Sequence, residues 1–275
     1  MAVIYEDRFV VFLDILGFSS LIDESKDSPD LAQDILDVLV SMQPAEIVRF
    51  TKADVNYNRV PTDKMAKVDD IVARSTDAIL SQTNISVSYF SDCLVLSAIK
   101  DDTFSRQMII EALHKFSMVL WVSKKMLIRG GVCEGKLHHS KSGPVFGPAL
   151  NRAYEIESKE AVYPRIFIDP ECLISLKEDE TLNLYGRLFQ YENGQAYISL
   201  ASSLAYSAFE SMAAVQNVKL AYDHWHVLEQ LPTDLSVLAG RYKDIRVKEK
   251  YLWLKQESNT LIEMRRPMDL LGMDK

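Results

Sequence analysis

The chain has 275 residues, of which 48% are hydrophobic and 25% are charged, so it can bury a sizeable core and is neither disordered nor fibrous. No uncharged apolar run approaches the ~20 residues of a membrane helix. Three cysteines without paired spacing favour a reducing cytoplasm. The net charge of -8 disfavours non-specific binding to nucleic acid or membranes, so a polyanionic ligand would need a few placed cations or metal ions.

The first part of the chain predicts a strand, a helix and a hairpin. Residues 8–16 form a nearly continuous apolar run with one acid in it, typical of a strand covered on both faces. A helix is expected from Ser28, which can cap it, and a second helical piece at 44–50. Residues 85–97 predict two strands about a turn. The polar stretch 51–84 is weakly patterned and gives no assignment.

The second part predicts a long helix at 103–125, with Phe104 in its buried stripe, and a strand at 126–134 broken by Gly130 and Gly131. Residues 135–148 resemble a loop. The remaining predicted elements are a helix at 149–160, a strand at 165–169, a hairpin at 185–200 and helices at 204–230 and 234–259, separated by Pro232. This order predicts an α+β fold with a split βαβ sheet in residues 1–200 and a helical extension in 201–275.

Two acids are placed for metal chemistry. Asp14 lies inside the first apolar run, where an acid is costly unless it is paired, hydrogen-bonded or bound to metal. Taken alone, a cap at the turn of Gly17 is the commoner explanation, and Asp92 alone is an ordinary turn residue. In a split βαβ sheet, however, the first strand and the next hairpin are neighbours. The two carboxylates then face each other, which favours divalent cations between them and two-metal phosphoryl transfer.

Four segments, in family order and spacing, resemble the motifs of class III nucleotide cyclases. They are residues 12–19 (Phe-Leu-Asp-Ile-Leu-Gly-Phe-Ser), 89–92 (Tyr-Phe-Ser-Asp), 128–135 (Ile-Arg-Gly-Gly-Val-Cys-Glu-Gly) and 147–151 (Gly-Pro-Ala-Leu-Asn). In the second segment Ser91 replaces the usual glycine of the family. The resemblance covers roughly residues 8–200.

The resemblance implies a role for each matching position. Asp14 and Asp92, with the carbonyl of Ile15, would hold two Mg²⁺ or Mn²⁺ ions per active site. Arg129 would contact the triphosphate, and Asn151 would orient the ribose from the partner protomer of a homodimer. Backbone amides would cradle the β- and γ-phosphates at Leu16, Gly17, Phe18 and Ser19.

The chain departs from the family at three positions. Glu155 stands where the family has its transition-state arginine, and the neighbouring Arg152 points to a different helix face. The purine-reading lysine and aspartate of adenylate cyclases fall on Ser88 and Pro144, which cannot make the same contacts. With the helical tail, these features resemble the pyrimidine cyclases of bacterial anti-phage Pycsar systems, in which the cyclic nucleotide activates a separate effector.

The resemblance thus implies a uridylate cyclase with Ser88 near the base, in the cytoplasm that the cysteines favour. Phe50, an aromatic residue at the end of the second helical piece, is a further candidate for the wall of the base pocket. Phe50 has an alternative as a core residue, and a serine hydroxyl cannot by itself choose between UTP and CTP. Other interpretations stay open: a cytidylate cyclase, a cyclase for ATP or GTP, an inactive cyclase-fold nucleotide-binding module, as Glu155 suggests, or an interaction protein whose acids are only caps. The paired histidines at 138 and 139 lack a third zinc ligand and are expected at the surface.

Overall fold

The computed structural model describes residues 5–42, 62–64, 67, 74, 78, 81–140, 143–213 and 217–264. Phe50 and the predicted helical piece at 44–50 lie outside the described residues. The strands are β1 (Glu6–Ile15), β2 (Ser86–Phe90), β3 (Cys93–Ile99), β4 (Ile128–His139), β5 (Val145–Phe146), β6 (Arg165–Ile168), β7 (Gln190–Glu192) and β8 (Gln195–Ser199).

The helices alternate with these strands and then follow them. They are α1 (Phe18–Ser25), α2 (Pro29–Ser41), α3 (Thr103–Lys124), α4 (Pro148–Glu155), α5 (Pro170–Glu178), α6 (Thr181–Tyr185), α7 (Leu200–Ala213), α8 (Val218–Arg241) and α9 (Ile245–Met264). A π-helical turn, Ile156–Glu160, continues directly from α4. The Ser28 hydroxyl caps α2 by accepting a hydrogen bond from the Leu31 amide at 3.3 Å, which confirms the predicted start of this helix.

One mixed sheet organises the chain, in the order β2-β3-β1-β4-β6-β8-β7, with β5 paired to β4. Only β4 and β6 run parallel among these pairs; the others are antiparallel. The first four strands in this order, with α3 crossing between β3 and β4, form the predicted split βαβ unit. The α+β fold with C-terminal helices is therefore confirmed.

The two faces of the sheet carry different layers. Phe9, Val11 and Leu13 of β1 point into the main core beneath α2, α3 and α5. The alternate residues Val10 and Phe12 point to the opposite face, where α4 packs. We call this second side the α4 face. Because Asp14 continues the same alternation, it belongs to the α4 face.

Gly130 and Gly131 do not break the strand, contrary to the prediction. β4 runs through them to His139, and part of the predicted loop at 135–148 is strand. A Cβ on Gly131 would lie 2.3 Å from the Ala153 carbonyl oxygen and 2.7 Å from Ile156 Cβ. The glycine therefore permits α4 and the π-helical turn to lie against the strand, where a side chain would push them away.

The C-terminal helices also differ from the predicted boundaries. Pro232 lies inside α8, and the break comes at 242–244 instead. Leu228, Leu231 and Leu235 are fully buried on either side of the proline, so packing outweighs the lost backbone hydrogen bond. Phe104, predicted to be buried, is 49% exposed because it lies in the first turn of α3, beyond the edge of the core.

The helices after residue 200 share a core with the sheet-containing part. Leu16, Trp121 and Leu127 pack in one cluster with Leu204 and Leu254. Trp253 of α9 stacks on Tyr163 with ring centroids 5.1 Å apart. α7 begins at Leu200, and the division into 1–200 and 201–275 stays a prediction.

Candidate functional site

Asp14 and Asp92 meet at the ends of adjacent strands on the α4 face. Asp14 lies opposite Cys93 in the β1–β3 ladder, and Asp92 is in the β2–β3 turn immediately before Cys93. Ser91 adopts the left-handed conformation of that turn, with φ of 54°, at the position where the family carries glycine. Carboxylate oxygens of the two acids and the Cys93 sulfur all lie within 4.8 Å of one another.

A third acid, Glu157, joins them through Arg129. Arg129 lies opposite Asp14 in the β1–β4 ladder and donates from Nε to Asp14 Oδ2 at 3.0 Å. Its Nη2 is 2.7 Å from Glu157 Oε1 in an ion pair. We call Asp14, Asp92 and Glu157 the acidic cluster. In the described part of the chain, its three carboxyl groups outnumber the one guanidinium, that of Arg129, which pairs with two of them.

Glu157 was not predicted from the sequence, although a signal existed. It lies in the π-helical turn after α4, and such turns are frequent at functional sites. In the predicted helix at 149–160, Glu157 follows Ala149 and Ala153 at helical spacing, so it is an acid on the apolar face. A buried acid on an apolar face needs a partner, which Arg129 supplies.

Burial and mutual repulsion govern protonation of the cluster. Burial raises the pKa of Asp14; Arg129 opposes the shift and Asp92 adds to it. Burial, with Asp14 and Asp92 nearby, raises the pKa of Glu157 to about 7 against the lowering effect of Arg129. The Cys93 thiol stays protonated because burial and the two aspartates raise its pKa to about 12. Hard carboxylate oxygens without a thiolate fit Mg²⁺ or Mn²⁺.

The predicted phosphate cradle follows β1. Gly17 has φ of 77° and begins the turn into α1, whose first residues are Phe18 and Ser19. The Leu16 amide donates to the Leu127 carbonyl at 2.8 Å, which corrects the predicted cradle at that position. Gly17 and Ser19 are exposed, so the candidate amides are those at residues 17–19.

Asn151 is exposed on α4, and no hydrogen bond or ion pair among the described residues joins it to the acidic cluster. Glu155, at the position of the family arginine, pairs with Lys159 at 2.7 Å. Arg152 is bound to Asp169 at 2.7 Å and to Glu160 at 2.9 Å. Arg152 is therefore engaged by two acids of its own chain, and it does not take the place of the arginine that the family has at position 155.

Ser88 lies on the α4 face in contact with a histidine. It is half-buried on β2, and its Oγ is 3.0 Å from His139 Nε2. His139 is buried at the end of β4, which corrects the expectation that both histidines lie at the surface. His139 pairs with Val145, the residue after Pro144, in the β4–β5 ladder.

Lys250 of α9, in the C-terminal extension, interacts electrostatically with the acidic cluster. Burial lowers the pKa of Lys250, and the nearby Arg129 lowers it further, while Asp14 and Glu157 act in the opposite direction. These effects place the ammonium group within electrostatic range of the cluster.

Among the described residues, no helix is long and apolar enough to span a membrane.

No family model and no curated protein matches the chain. Among solved structures it is similar to the adenylyl cyclase CyaB from P. aeruginosa, with 13% identity over 72% of this chain and 94% of that one and a TM-score of 0.41. It is also similar to the monomeric guanylyl cyclase domain of the RhoGC fusion protein from Blastocladiella emersonii, with 15% identity, coverage of 71% and 95% and a TM-score of 0.38. A third is the guanylate cyclase domain of RhGC from Catenaria anguillulae in complex with GTP, with 14% identity, coverage of 70% and 94% and a TM-score of 0.36.

Proposed function

We propose that this chain is a metal-dependent nucleotide cyclase, a phosphorus–oxygen lyase that converts UTP into 3′,5′-cyclic UMP and pyrophosphate. The observation that carries the proposal is the acidic cluster. It gathers three carboxyl groups on one sheet face, and among the described residues the guanidinium of Arg129 pairs with two of them, Asp14 and Glu157. Such a cluster binds cations in preference to apolar or anionic groups, and Asp14, Asp92 and Arg129 belong to three of the cyclase-like motifs of the sequence.

Asp14 and Asp92, with the carbonyl of Ile15, would hold two Mn²⁺ or Mg²⁺ ions per active site. Ile15 is the last residue of β1 and follows Asp14 directly. When bound, such ions activate the 3′-hydroxyl and shield the charge of the departing pyrophosphate.

The other residues bind and orient the triphosphate. The amides of Gly17, Phe18 and Ser19 face its β- and γ-phosphates, Arg129 neutralises part of its charge, and Asn151 orients the ribose. The 3′-oxygen then forms a bond to the α-phosphorus as the bond to the bridging oxygen breaks. Pyrophosphate leaves with that electron pair, and the hydroxyl proton passes to solvent. Positioning supplies much of the acceleration.

The active unit in this proposal is a homodimer with its sites at the interface. Asn151 is exposed and has no bonded contact with the acidic cluster of its own chain among the described residues, which supports a contribution to the partner's site. Two large side chains near the acidic cluster are also exposed on this side, Phe90 at 83% and Tyr154 at 54%. Exposed aromatic rings of this kind suit a protein interface. Ser88 and Phe50 would contact the base.

The biological role in the proposal is anti-phage defence in the cytoplasm, where cyclic UMP would act as a second messenger on a separate effector. This part rests on the sequence resemblance to the Pycsar cyclases. Cyclic UMP measured in cells before and after phage infection tests it. A rise on infection that depends on Asp14 is expected, and an unchanged level during productive defence would exclude the role.

A cytidylate cyclase that makes cyclic CMP is the first alternative, because Ser88 is compatible with either pyrimidine. The second is a catalytically inactive nucleotide-binding module. Glu155 in place of the family arginine favours it, as does the engagement of Arg152 with Asp169 and Glu160.

The deciding experiment supplies ATP, GTP, CTP and UTP together to the purified chain with Mn²⁺, and then with Mg²⁺. Mass spectrometry identifies the cyclic products, and a pyrophosphate assay gives the rate. We expect cyclic UMP to dominate. Mainly cyclic CMP would overturn the uridylate assignment, and mainly cyclic AMP or cyclic GMP would overturn the pyrimidine assignment. No pyrophosphate from any nucleotide would favour the inactive module.

A further inference from the structure

A buried network of polar side chains lies on the α4 face beside Ser88. Arg8 Nε donates to Ser97 Oγ at 2.8 Å, and Ser97 Oγ is 2.8 Å from His139 Nδ1. The other ring nitrogen, His139 Nε2, is 3.0 Å from Ser88 Oγ. Arg8, Ser97 and His139 are at most 5% exposed, and Ser88 is half-buried. We call these four residues the serine–histidine cluster.

The donors and acceptors available assign the hydrogens of this cluster. A guanidinium can only donate, so Ser97 Oγ accepts from Arg8. The Ser97 hydroxyl hydrogen then needs an acceptor, and His139 Nδ1 is the one within reach among the described residues. The reverse arrangement, with a hydrogen on Nδ1, would leave a fully buried hydroxyl hydrogen without a partner, which is costly.

The imidazole is neutral at pH 7, because burial and then the charge of Arg8 lower the pKa of His139 to about 4. A neutral ring that accepts at Nδ1 carries its hydrogen on Nε2. Nε2 therefore donates to Ser88 Oγ, and the Ser88 hydroxyl hydrogen is left to point elsewhere. Ser88 thus presents a donor on the α4 face.

We propose that His139 keeps the Ser88 hydroxyl hydrogen available for donation toward the nucleotide base, and that the site thereby favours bases with a carbonyl at the edge being read. Uracil offers such an acceptor at position 4, where cytosine carries an amino group. Among purines the same rule favours guanine over adenine. This inference rests on the proposed cyclase function. The remaining lone pair of Ser88 Oγ can still accept, but the hydroxyl hydrogen then loses the base as its acceptor.

His139 and Ser97 are positioning residues, since they act through Ser88. When an amino group faces Ser88, the serine pairs with it only by turning its hydroxyl hydrogen away from the base, and a polar hydrogen left without a partner corresponds to roughly a tenfold to hundredfold loss in rate. The wild-type protein should therefore favour UTP over CTP by about that factor in direct competition.

Ser97→Ala tests the hydrogen-bond chain from Ser97 through His139 to Ser88 without altering Ser88 or His139. It removes the hydroxyl that fixes the ring hydrogen, so the preference for UTP over CTP should fall at least about fivefold. Ser97→Asp places an acceptor beside Nδ1 and at pH 8 should shift the preference toward CTP. The matched control is Ser86→Ala. Ser86 also accepts from Arg8 and lies opposite Ser97, but it donates to the His139 carbonyl at 3.2 Å and not to the ring. The ratio of UTP turnover to CTP turnover in Ser86→Ala should stay within about twofold of the wild-type ratio.

Ring ¹⁵N chemical shifts of His139 give a readout that does not depend on activity. The wild-type spectrum should show the neutral form with its hydrogen on Nε2, and Ser97→Asp should move the hydrogen to Nδ1. A hydrogen on Nδ1 in the wild type, or turnover with the full UTP preference kept in Ser97→Ala, would overturn this inference and leave the cyclase proposal standing. Absence of turnover with all four nucleotides would overturn the cyclase proposal and, with it, the selectivity.

Discussion

Two polar clusters lie on the same face of the sheet, and they differ in how completely their polar groups are paired with other groups of the protein. In the serine–histidine cluster each ring nitrogen and hydroxyl has a partner at 2.8–3.0 Å. In the acidic cluster, Asp14 and Glu157 share one guanidinium, and burial raises both of their pKa values. A cluster with more carboxyl groups than guanidinium partners points to a ligand that brings positive charge, whereas a network that is paired except for the Ser88 hydroxyl hydrogen points to positioning.

The largest effect is expected when one carboxylate is removed from the acidic cluster, which tests whether its charge serves a ligand. Asp14→Asn or Asp92→Asn should reduce turnover with Mn²⁺ by about a thousandfold or more, because each removes a metal ligand. The fold should be as stable as wild type or more so, since a repelling carboxylate is lost. Thermal denaturation and pyrophosphate release measure the two effects.

Asp7→Asn is the matched control for these variants. Asp7 is also on β1, but it is exposed and pairs with Lys136 at 2.7 Å. Its activity and melting temperature should stay close to wild type. Near-normal turnover in either cluster variant would show that these acids do not hold the catalytic ions.

The second prediction concerns the exposed Asn151. Asp14→Ala and Asn151→Ala should each be inactive, and an equal mixture should recover roughly a quarter of the wild-type specific activity. Half of the dimers are then mixed, and in each of those one site carries both lesions while the other carries none. Affinity-tagged protomers verify that mixed dimers form. If they form without any recovery, Asn151 and the acidic cluster do not act across an interface.

The third prediction concerns the serine–histidine cluster, from which one hydrogen-bonding side chain is removed. Arg8→Met keeps the apolar stem but removes the donors to Ser97 Oγ at 2.8 Å and to the Asn84 carbonyl at 2.9 Å. It should reduce the free energy of unfolding by about 2–4 kcal/mol, measured by urea denaturation. Lys136→Met, which removes an exposed cation near the same strand, should cost less than about 1 kcal/mol. Equal losses would mean that the Arg8 network is not specially stabilising.

The sequence predicted most of the sheet because its strands alternate or run apolar between clear turn residues. The turns at Ser91 and at Asn193-Gly194 were located correctly, and both adopt positive φ. Asp14 and Asp92 were predicted to face each other from the strand order alone, and the ligand atoms of these two acids do lie together.

Features that depend on tertiary packing could not be predicted. Gly130 and Gly131 suggested a break, because a sequence does not show that α4 packs against them. Pro232 suggested a helix end, although buried leucines on both sides keep α8 continuous. Glu157 carried a signal as an acid on the apolar face of its predicted helix, but its partner Arg129 and the partners of His139 are distant in sequence.

The smallest predicted effect is a pH dependence that isolates Glu157. Its pKa in the folded protein is raised from 4.5 to about 7, so the folded state holds the proton more tightly than the unfolded state. The stabilisation of the fold by this more tightly held proton is therefore complete below the unfolded pKa of Glu157 and is lost as the pH rises through 7. Glu157→Gln stays neutral throughout, so its advantage over wild type should grow by about 1–3 kcal/mol between pH 4.5 and pH 8.

Urea denaturation at half-unit pH steps measures the difference curve, in which the contribution of His139, common to both proteins, cancels. Glu155→Gln is the matched control from the same helical segment. Glu155 pairs with Lys159, which lowers its pKa, so its own difference curve should not rise above pH 5. Parallel curves for wild type and Glu157→Gln would mean that Arg129 fully compensates Glu157. The acidic cluster would then be as well satisfied as the serine–histidine cluster, and the contrast between the two would disappear.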